Sequence, residues 1–565
     1  MTRHDPKLLH KGARAARRNL IARLLRDVFG IERLRDGQQR VIDSILDGHD
    51  TLAIMPTGSG KSLCYQIAAT IIPGATVVVS PLISLMKDQL EKLEELGISA
   101  VQVNSTLTRE EEETALDGIR HGRHEIIFCT PERLAMPDFI EVLKQSDISL
   151  VVVDEAHCIS QWGHDFRPAY IEMASSIRAL GHPLMLALTA TATDDVIDDI
   201  GRQLGRKLAV INTGIYRPNL HYSVLQVTNH DEKNQQALRL VHETEGVGIV
   251  YAATVKAAEE LYALLEEAGE SVALYHGKLP AAERQQNQDM FMSGERRVMV
   301  ATNAFGMGID KPDTRFVIHL QVPANLESYY QESGRAGRDG GSAECVLLYL
   351  QDDKRVQQFF LVKHYPTAAE LRDAYEQVAA SETPMAVADF KGEVHPNQLR
   401  IGLKLLKDAG LLRQSRKLEY SVTRAVPKAA DFDELAHTYV EKQERDREAL
   451  EAMVSYAVSG FCRWKVLLDY FGDEAQDFDS CGMCDNCRNP PQIQVDLSDF
   501  IPVQAPPHAE PAAPAFEVGA RVKVPKYDEG IVVAVAGDQV TIAFEADGEK
   551  TFLADFVTPA AAAPG

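Results

Sequence analysis

Short apolar runs recur along the chain from about residue 30 to 350, separated by longer stretches of helical pattern: "DTLAIM", "ATVVVSP", "EIIFCTP", "LVVVDEAH" and "LMLALTAT", then "GIVYAA", "VALYHG", "RVMVAT", "RFVIHL" and "ECVLLYL". A run that is apolar at consecutive positions fits a strand covered on both faces, as in a parallel sheet between helices. Runs alternating with helical stretches are the rhythm of α/β architecture. The break at "INTGIYRPNLHYSV" (211–224), with Gly, Arg and Pro, divides the runs into two sets and predicts two consecutive α/β lobes.

Beyond about residue 360 the pattern turns helical. Within it, "PMAVADFKGEVHPNQLRIGLKLLKDAGLLRQSRKLEYSVTR" reads as helix, turn, helix and basic hairpin, a winged-helix pattern. Such a module either binds DNA, here through Arg400, Lys404 and Arg416, or serves packing, and both uses stay open. The Pro/Ala-rich "IPVQAPPHAEPAAPAF" (501–516) is an extended or flexible linker. After it, valines alternate with polar residues around Asp-Glu-Gly, Gly-Asp and Asp-Gly turns, which predicts a small β-barrel of about five strands.

A length of 565 residues exceeds what one core supports. The expected division is 1–212 for the ATP-binding first lobe, 213–355 for the second lobe, 356–440 for a helical, winged-helix-like insertion, 441–490 for a zinc-binding subdomain, 491–515 for the linker and 516–558 for the barrel. With 59 Lys plus Arg against 82 Asp plus Glu, the net charge is −23, so bulk electrostatics does not coat nucleic acid and any such contact is local. The first residues, "MTRHDPKLLHKGARAARRNL", lack the apolar core of a signal peptide, and no run reaches the roughly 18 apolar residues of a membrane span. The expectation is a cytoplasmic protein with no membrane partner.

The chemistry gathers at run ends. "LAIMPTGSGKS" puts a strand before Thr57, Gly58, Ser59, Gly60, Lys61 and Ser62 and a helix after them. Glycines let backbone N–H groups wrap phosphate oxygens, Lys61 neutralises the β/γ-phosphates of ATP, and Ser62 holds Mg²⁺. Met55 stands where the strict phosphate-loop pattern has its first Gly. Asp154 and Glu155, after "LVVV", suit a second Mg²⁺ contact and the orientation and deprotonation of the attacking water. "QESGRAGRDG" offers Arg335 and Arg338 to the γ-phosphate from the other lobe, so that hydrolysis depends on lobe closure. Trp162, His164, Phe166 and Arg167, just after the carboxylates, read as a surface for something flat and anionic, although a tryptophan also fits a buried core.

Eight cysteines split into scattered Cys64, Cys129, Cys158 and Cys345, expected as buried thiols, and a cluster, Cys462-x18-Cys481-x2-Cys484-x2-Cys487. The tight "CGMCDNC" turn makes three thiolates converge, and four soft, tetrahedral-capable ligands favour a structural Zn²⁺.

"LRDGQQRVIDSILDGHDTLAIMPTGSGKSLCYQ", "SPLISLMKDQ", "TPERL", "DEAHCISQWGHDFRP", "LTATAT", "ATNAFGMGIDKPDTRFVIH" and "SYYQESGRAGRDG" occur in this order and together closely resemble the superfamily-2 DNA helicases of the RecQ family. The resemblance covers roughly 30 to 350, continues into the cysteine cluster, and tolerates Met55. It implies two RecA-like lobes, with Arg35 and Gln38 at the adenine, Lys61, Ser62, Asp154 and Glu155 in hydrolysis, and Arg338 as the arginine finger. It also implies that 160–167 is an aromatic-rich loop between the carboxylates and single-stranded DNA, where Trp162 and Phe166 stack on bases. The implied activity is ATP-driven 3′-to-5′ unwinding of duplex DNA in repair and recombination, by a monomer acting at the nucleoid.

The chain departs from the family pattern in its 366–440 insertion, in having only the Pro/Ala linker where downstream DNA-binding domains are usual, and in its tail. That tail resembles the Tudor/SH3-like ends of UvrD-type helicases and, being acidic, suggests a protein partner. A DNA-stimulated ATPase that remodels or recruits with little processive unwinding is the alternative, and an RNA helicase a weaker third.

Overall fold

The computed structural model describes residues 14–160, 169–306, 310–362, 366–391, 396–415, 419–424, 427–473, 478–490, 516–524, 527–536, 539–544 and 548–560. Two compact units are formed, one from Met1–Gln357 with Arg445–Pro491 and one from Gln358–Glu444 with Gln492–Gly565.

The first unit contains two wholly parallel sheets. The strands of the first lobe are β1 (Thr51–Ile54), β2 (Ala75–Val79), β3 (Ala100–Val103), β4 (Ile126–Cys129), β5 (Ile148–Val153), β6 (Leu184–Thr189) and β7 (Ala209–Asn212), in the order β3-β4-β2-β5-β6-β1-β7. The second lobe has β8 (Leu220–Gln226), β9 (Val247–Tyr251), β10 (Val272–Tyr275), β11 (Val298–Ala301), β12 (Thr314–His319) and β13 (Ala343–Tyr349), in the order β10-β11-β9-β12-β13-β8.

Both faces of each sheet are buried, as the consecutive apolar positions require. In the first lobe Val77, Val79, Val151 and Val153 join one core, while Val78, Leu150 and Val152 join the core on the opposite face. In the second lobe Ile249, Tyr251 and Met299 face one core and Val250, Val298 and Val300 the other. Because every strand is parallel, the loops after β1, β5 and β6 all leave one end of the first sheet, where open α/β sheets bind ligands.

The cysteine segment is not a free-standing domain. Cys462, Trp464, Leu467, Leu468, Phe471 and Cys484 belong to the same buried cluster as Ile249, Tyr251 and Tyr329. Trp464 is a core residue whose Nε1 donates to Leu220 O at 3.1 Å, and its ring meets those of Tyr216 and Tyr222 edge-on at 5.0 and 5.1 Å.

In the second unit, helices Ala368–Ala380 and Pro396–Asp408 and the antiparallel pair Leu412–Gln414 and Tyr420–Val422 share a core of Leu371, Leu403, Leu406, Leu412 and Tyr420. Met385 bridges to Tyr420 and adds a third extended segment. Arg400 is exposed and Lys404 half-buried, while Arg416 lies outside the described residues. The tail pairs five antiparallel strands over a core of Val522, Val532, Val540 and Ile542. Positions 355/356 and 440/441 fall inside the helices Asp353–Val362 and Ala429–Val458. Among the described residues no helix is long and apolar enough to cross a membrane.

Candidate nucleotide site and zinc centre

The phosphate loop follows β1, and the helix Lys61–Ile71 starts directly from it with Gly60 as N-cap. Gly58 and Gly60 sit at φ 78° and 80°, a left-handed region that L side chains rarely adopt. Met55 does not disturb this: its N–H donates to Thr189 O at 3.0 Å and its side chain is buried in the core, so that position continues the sheet. Lys61 and Ser62 occupy the first helical turn, where unpaired N–H groups and the helix dipole favour an anion.

Arg35 and Gln38 stand beside this loop. Arg35 Nη1 donates to Gly58 O at 2.6 Å, and buried Gln38 Nε2 donates to Ser59 O and Gly60 O, both at 3.0 Å. Gln38 Oε1 in turn accepts from Arg35 N at 2.9 Å. These two side chains therefore brace the phosphate loop. Thr57 faces Gly334 of the second lobe, where an added Cβ would stand 3.3 Å from Thr57 Cβ.

Asp154 is held at the end of β5 by its N–H on Val79 O at 2.9 Å, while its Oδ1 accepts from Glu155 N at 3.0 Å and its Oδ2 from Ser80 Oγ at 3.4 Å. Burial first, and the neighbouring Glu155 second, push its carboxyl up to about 7, with Lys61 pulling the other way. A carboxylate buried without a full set of hydrogen bonds suits a cation ligand. Glu155 has φ 49°, a strained value for a residue with a side chain. Its Oε2 is buried without a hydrogen-bond partner, 3.4 Å from His157 Nδ1. Buried His157 also shares a hydrogen bond of 3.1 Å with Thr189 Oγ1, and that hydroxyl donates to Thr191 O at 2.8 Å, so the segment after β6 reaches the hydrolytic pair.

The second lobe brings both arginines up to the loop. The stem of Arg338 lies against Gly58. Its Nη1 donates to Asp310 Oδ1 at 2.9 Å, and Asp310 Oδ2 is 3.6 Å from Lys92 Nζ of the first lobe. Burial and then Arg335 pull Arg338 below its ordinary value, while Asp310 pulls the other way. Nε of Arg335 and Nε of Arg338 are buried without partners. The ionisable groups expected at the nucleotide are thus assembled across two lobes, and several of their polar atoms are unspent.

Trp162, His164, Phe166 and Arg167 lie outside the described residues. The segment's flanks are fixed: Ser160 Oγ donates to Asp199 Oδ2 at 2.8 Å, and Tyr170 Oη donates to Asp154 O at 3.0 Å.

The Sγ atoms of Cys462, Cys481, Cys484 and Cys487 all lie within 4.8 Å of one another, with Cys481–Cys487 at 3.9 Å and Cys462–Cys484 at 4.0 Å. A tetrahedron with Zn–S bonds of about 2.3 Å has S···S edges of about 3.8 Å, so the set fits Zn²⁺. N–H groups of Cys481, Cys484 and Arg463 point at Sγ atoms at 3.3, 3.2 and 3.4 Å, as thiolate ligands require. Arg463 makes a two-point ion pair with Asp485 at 2.9 and 3.0 Å, and Asp485 accepts from Val224 N of β8 at 2.9 Å.

His157 reads as catalytic in the sequence beside the two carboxylates of "DEAH", whereas Ser80, Asp310, Asp473, Tyr170 and Arg217 carry no such signal of their own. Ser80 and Asp310 fall inside segments quoted for other residues; Asp473 and Arg217 act through backbone groups, which no side-chain pattern announces.

Three family models match the chain: DEAD/DEAH box helicase over residues 35–200, helicase conserved C-terminal domain over 232–340, and RecQ zinc-binding over 423–488. The ATP-dependent DNA helicase RecQ of Bacillus subtilis is 39% identical over 82% of this chain and 66% of its own length. The protein of the same name from Synechocystis is 33% identical over 84% of this chain and 99% of its own length. The chain thus spans about two thirds of the first of these relatives and nearly all of the second. A solved structure of S. cerevisiae Dbp5 bound to RNA and ADP BeF3 superposes with a TM-score of 0.50 at 19% identity, covering 60% of this chain and 90% of that one, a likeness of fold.

Proposed function

The chain belongs to the RecQ helicase family, and from that premise we propose that it hydrolyses ATP to unwind duplex DNA in the 3′-to-5′ direction, in repair and recombination. The observation that carries the reading is Arg338 of the second lobe lying against Gly58 of the first, which ties γ-phosphate chemistry to lobe closure.

Lys61 and the N–H groups of the loop bind the phosphates, and Arg35 and Gln38 meet the adenine as they brace the loop. Glu155 Oε2, buried without a hydrogen bond and 3.4 Å from His157 Nδ1, takes the proton of the attacking water. Arg338 places its charge on the oxygens of the transferring phosphoryl group, with Arg335 behind it. Ser62 and Asp154 are the residues suited to hold Mg²⁺, which when bound neutralises charge on the β- and γ-phosphates. After hydrolysis that attraction between the lobes is lost, and their separation and return drive movement along a strand.

Trp162, His164, Phe166 and Arg167 form the single-strand contact that reports DNA to Asp154 and Glu155. The zinc centre is structural and holds the module that covers β8. The protein works as a monomer in the cytoplasm at the nucleoid, and its acidic five-stranded tail contacts a protein. Strand displacement measured beside ATPase on matched DNA and RNA tests the assignment. DNA-specific stimulation with displacement supports it; stimulation without displacement leaves a remodelling ATPase, and equal stimulation by RNA overturns the DNA assignment.

A further inference from the structure

Seven residues, 213–219 ("TGIYRPN"), join β7 of the first lobe to β8 of the second. Thr213 stays bonded to Ile54 of the first lobe, and the residues after it pack on the second lobe and the zinc module and make polar contacts with both. Tyr330 Oη donates to Ile215 O at 2.7 Å, and Ile215 N donates to Asp473 Oδ2 at 2.7 Å. Buried Arg217 is spent on the turn that carries both arginines: Nη1 donates to Gly334 O at 2.7 Å, and Nη2 donates to Ala336 O at 2.7 Å and Gly337 O at 2.6 Å. Asn219 Nδ2 adds bonds of 2.8 Å to Gly337 O and Gly341 O.

That turn follows the helix Leu326–Ser333 and precedes β13, and its carbonyls converge on one point. Converging carbonyls repel one another unless a cation sits among them. A planar guanidinium satisfies three such acceptors at fixed angles, whereas an ammonium offers a point charge without the fork. Arg217 touches no reacting group, and it fixes the backbone between Arg335 and Arg338.

We propose that Arg217 is the positioning residue for the arginine finger, so that the linker between the lobes, pinned in turn by Asp473 of the zinc module, sets where Arg338 stands over the phosphate loop. This rests on Arg338 being the group that meets the γ-phosphate.

The test uses the full chain, with DNA-stimulated ATPase, ATP KM, single-strand affinity and melting measured on Arg217→Lys, Arg338→Ala and the double variant. Arg217→Lys is expected to lose about tenfold to 100-fold in kcat, the scale of a misplaced catalytic group. Its ATP KM and single-strand affinity are expected to stay within about twofold, the split that separates transition-state from ground-state binding. In the Arg338→Ala background the same change is expected to cost less than about twofold, because two residues acting through one group are not additive. Equal losses in both backgrounds overturn the proposal, as does parental kcat in Arg217→Lys beside a depressed Arg338→Ala. Parental kcat in Arg338→Ala overturns the finger assignment itself. Asn219→Ser, which frees the Gly341 carbonyl and leaves Gly337 O to Arg217, is expected to show a smaller kcat loss with the same dependence on Arg338. If Arg217→Lys is unstable, that variant decides the matter by the same criterion.

Discussion

The stem of Arg338 crosses Gly58: a Cβ built on that glycine would lie 3.0 Å from Arg338 Cγ and 3.3 Å from its Cβ. Gly58 also has φ 78°, so two independent constraints require glycine there. Gly58→Ala is expected to strain the loop by about 1–2 kcal/mol and to push the finger away, lowering DNA-stimulated kcat by about tenfold or more. ATPase kinetics with melting in parallel check this; unchanged kcat would show that the two lobes do not meet here during turnover.

Lys61 and Glu155 separate binding from chemistry. Lys61→Ala is expected to abolish hydrolysis while single-strand binding persists, because phosphate neutralisation is lost and the DNA surface is untouched. Glu155→Gln is expected to keep ATP affinity and lose about 100-fold to 10,000-fold in turnover, the range for a general base. A collapse of ATP affinity in Glu155→Gln would make that residue structural.

The zinc centre is tied to the second lobe by Asp485 on Val224 and by Trp464 on Leu220. Cys484→Ala is therefore expected to lower the melting temperature of that lobe and to reduce soluble yield, because metal binding is part of the folding free energy. Elemental analysis should find one zinc per chain, and a zinc-free preparation of full activity and parental melting would refute the assignment.

Lys233 and Asp353 form an ion pair with two contacts of 2.6 Å in which both side chains are almost fully buried. Asp353→Ala is expected to cost about 3–5 kcal/mol, since it leaves a buried ammonium without a partner. Denaturant unfolding measures it, and a loss under about 1 kcal/mol would mean that water reaches Lys233 as it does in an exposed pair.

How far the fold could be read in advance depended on where each strand sits in its sheet. The apolar runs marked the central strands, which are covered on both faces, and the edge strand β10, whose "VALY" is itself apolar. β3 "AVQV", β7 "AVIN" and β8 "LHYSVLQ" are edge strands with polar or half-exposed alternate positions, and they gave no such run. β8 lay inside the stretch read as a break between lobes, because its partner on one side is the zinc module, far away in sequence. The nucleotide residues were legible because glycine, lysine and paired carboxylates carry chemistry at fixed spacings. Arg217 was not, since its partners are main-chain carbonyls more than a hundred residues away.

Trp162→Ala and Tyr170→Phe together test whether the loop after the carboxylates transmits DNA occupancy. Tyr170 Oη donates to Asp154 O, and Ser160 Oγ holds Asp199, so both flanks of 161–168 are tied to the first lobe close to the hydrolytic pair. If the loop only adds affinity, Trp162→Ala should weaken DNA binding by the stacking energy, about 1–3 kcal/mol, and saturating DNA should restore the full rate. If it transmits, the stimulated maximum should fall at saturating DNA while the basal rate stays near the parent. The second outcome is expected, because only a short path joins Trp162 to Glu155 and one hydrogen bond links Tyr170 to the carbonyl of Asp154. Tyr170→Phe removes that bond. It should lower the stimulated maximum while leaving DNA affinity unchanged. Basal rate, stimulated maximum and DNA affinity measured on one preparation of each variant separate the cases, and full recovery of both variants at saturating DNA would reduce the loop to a binding surface.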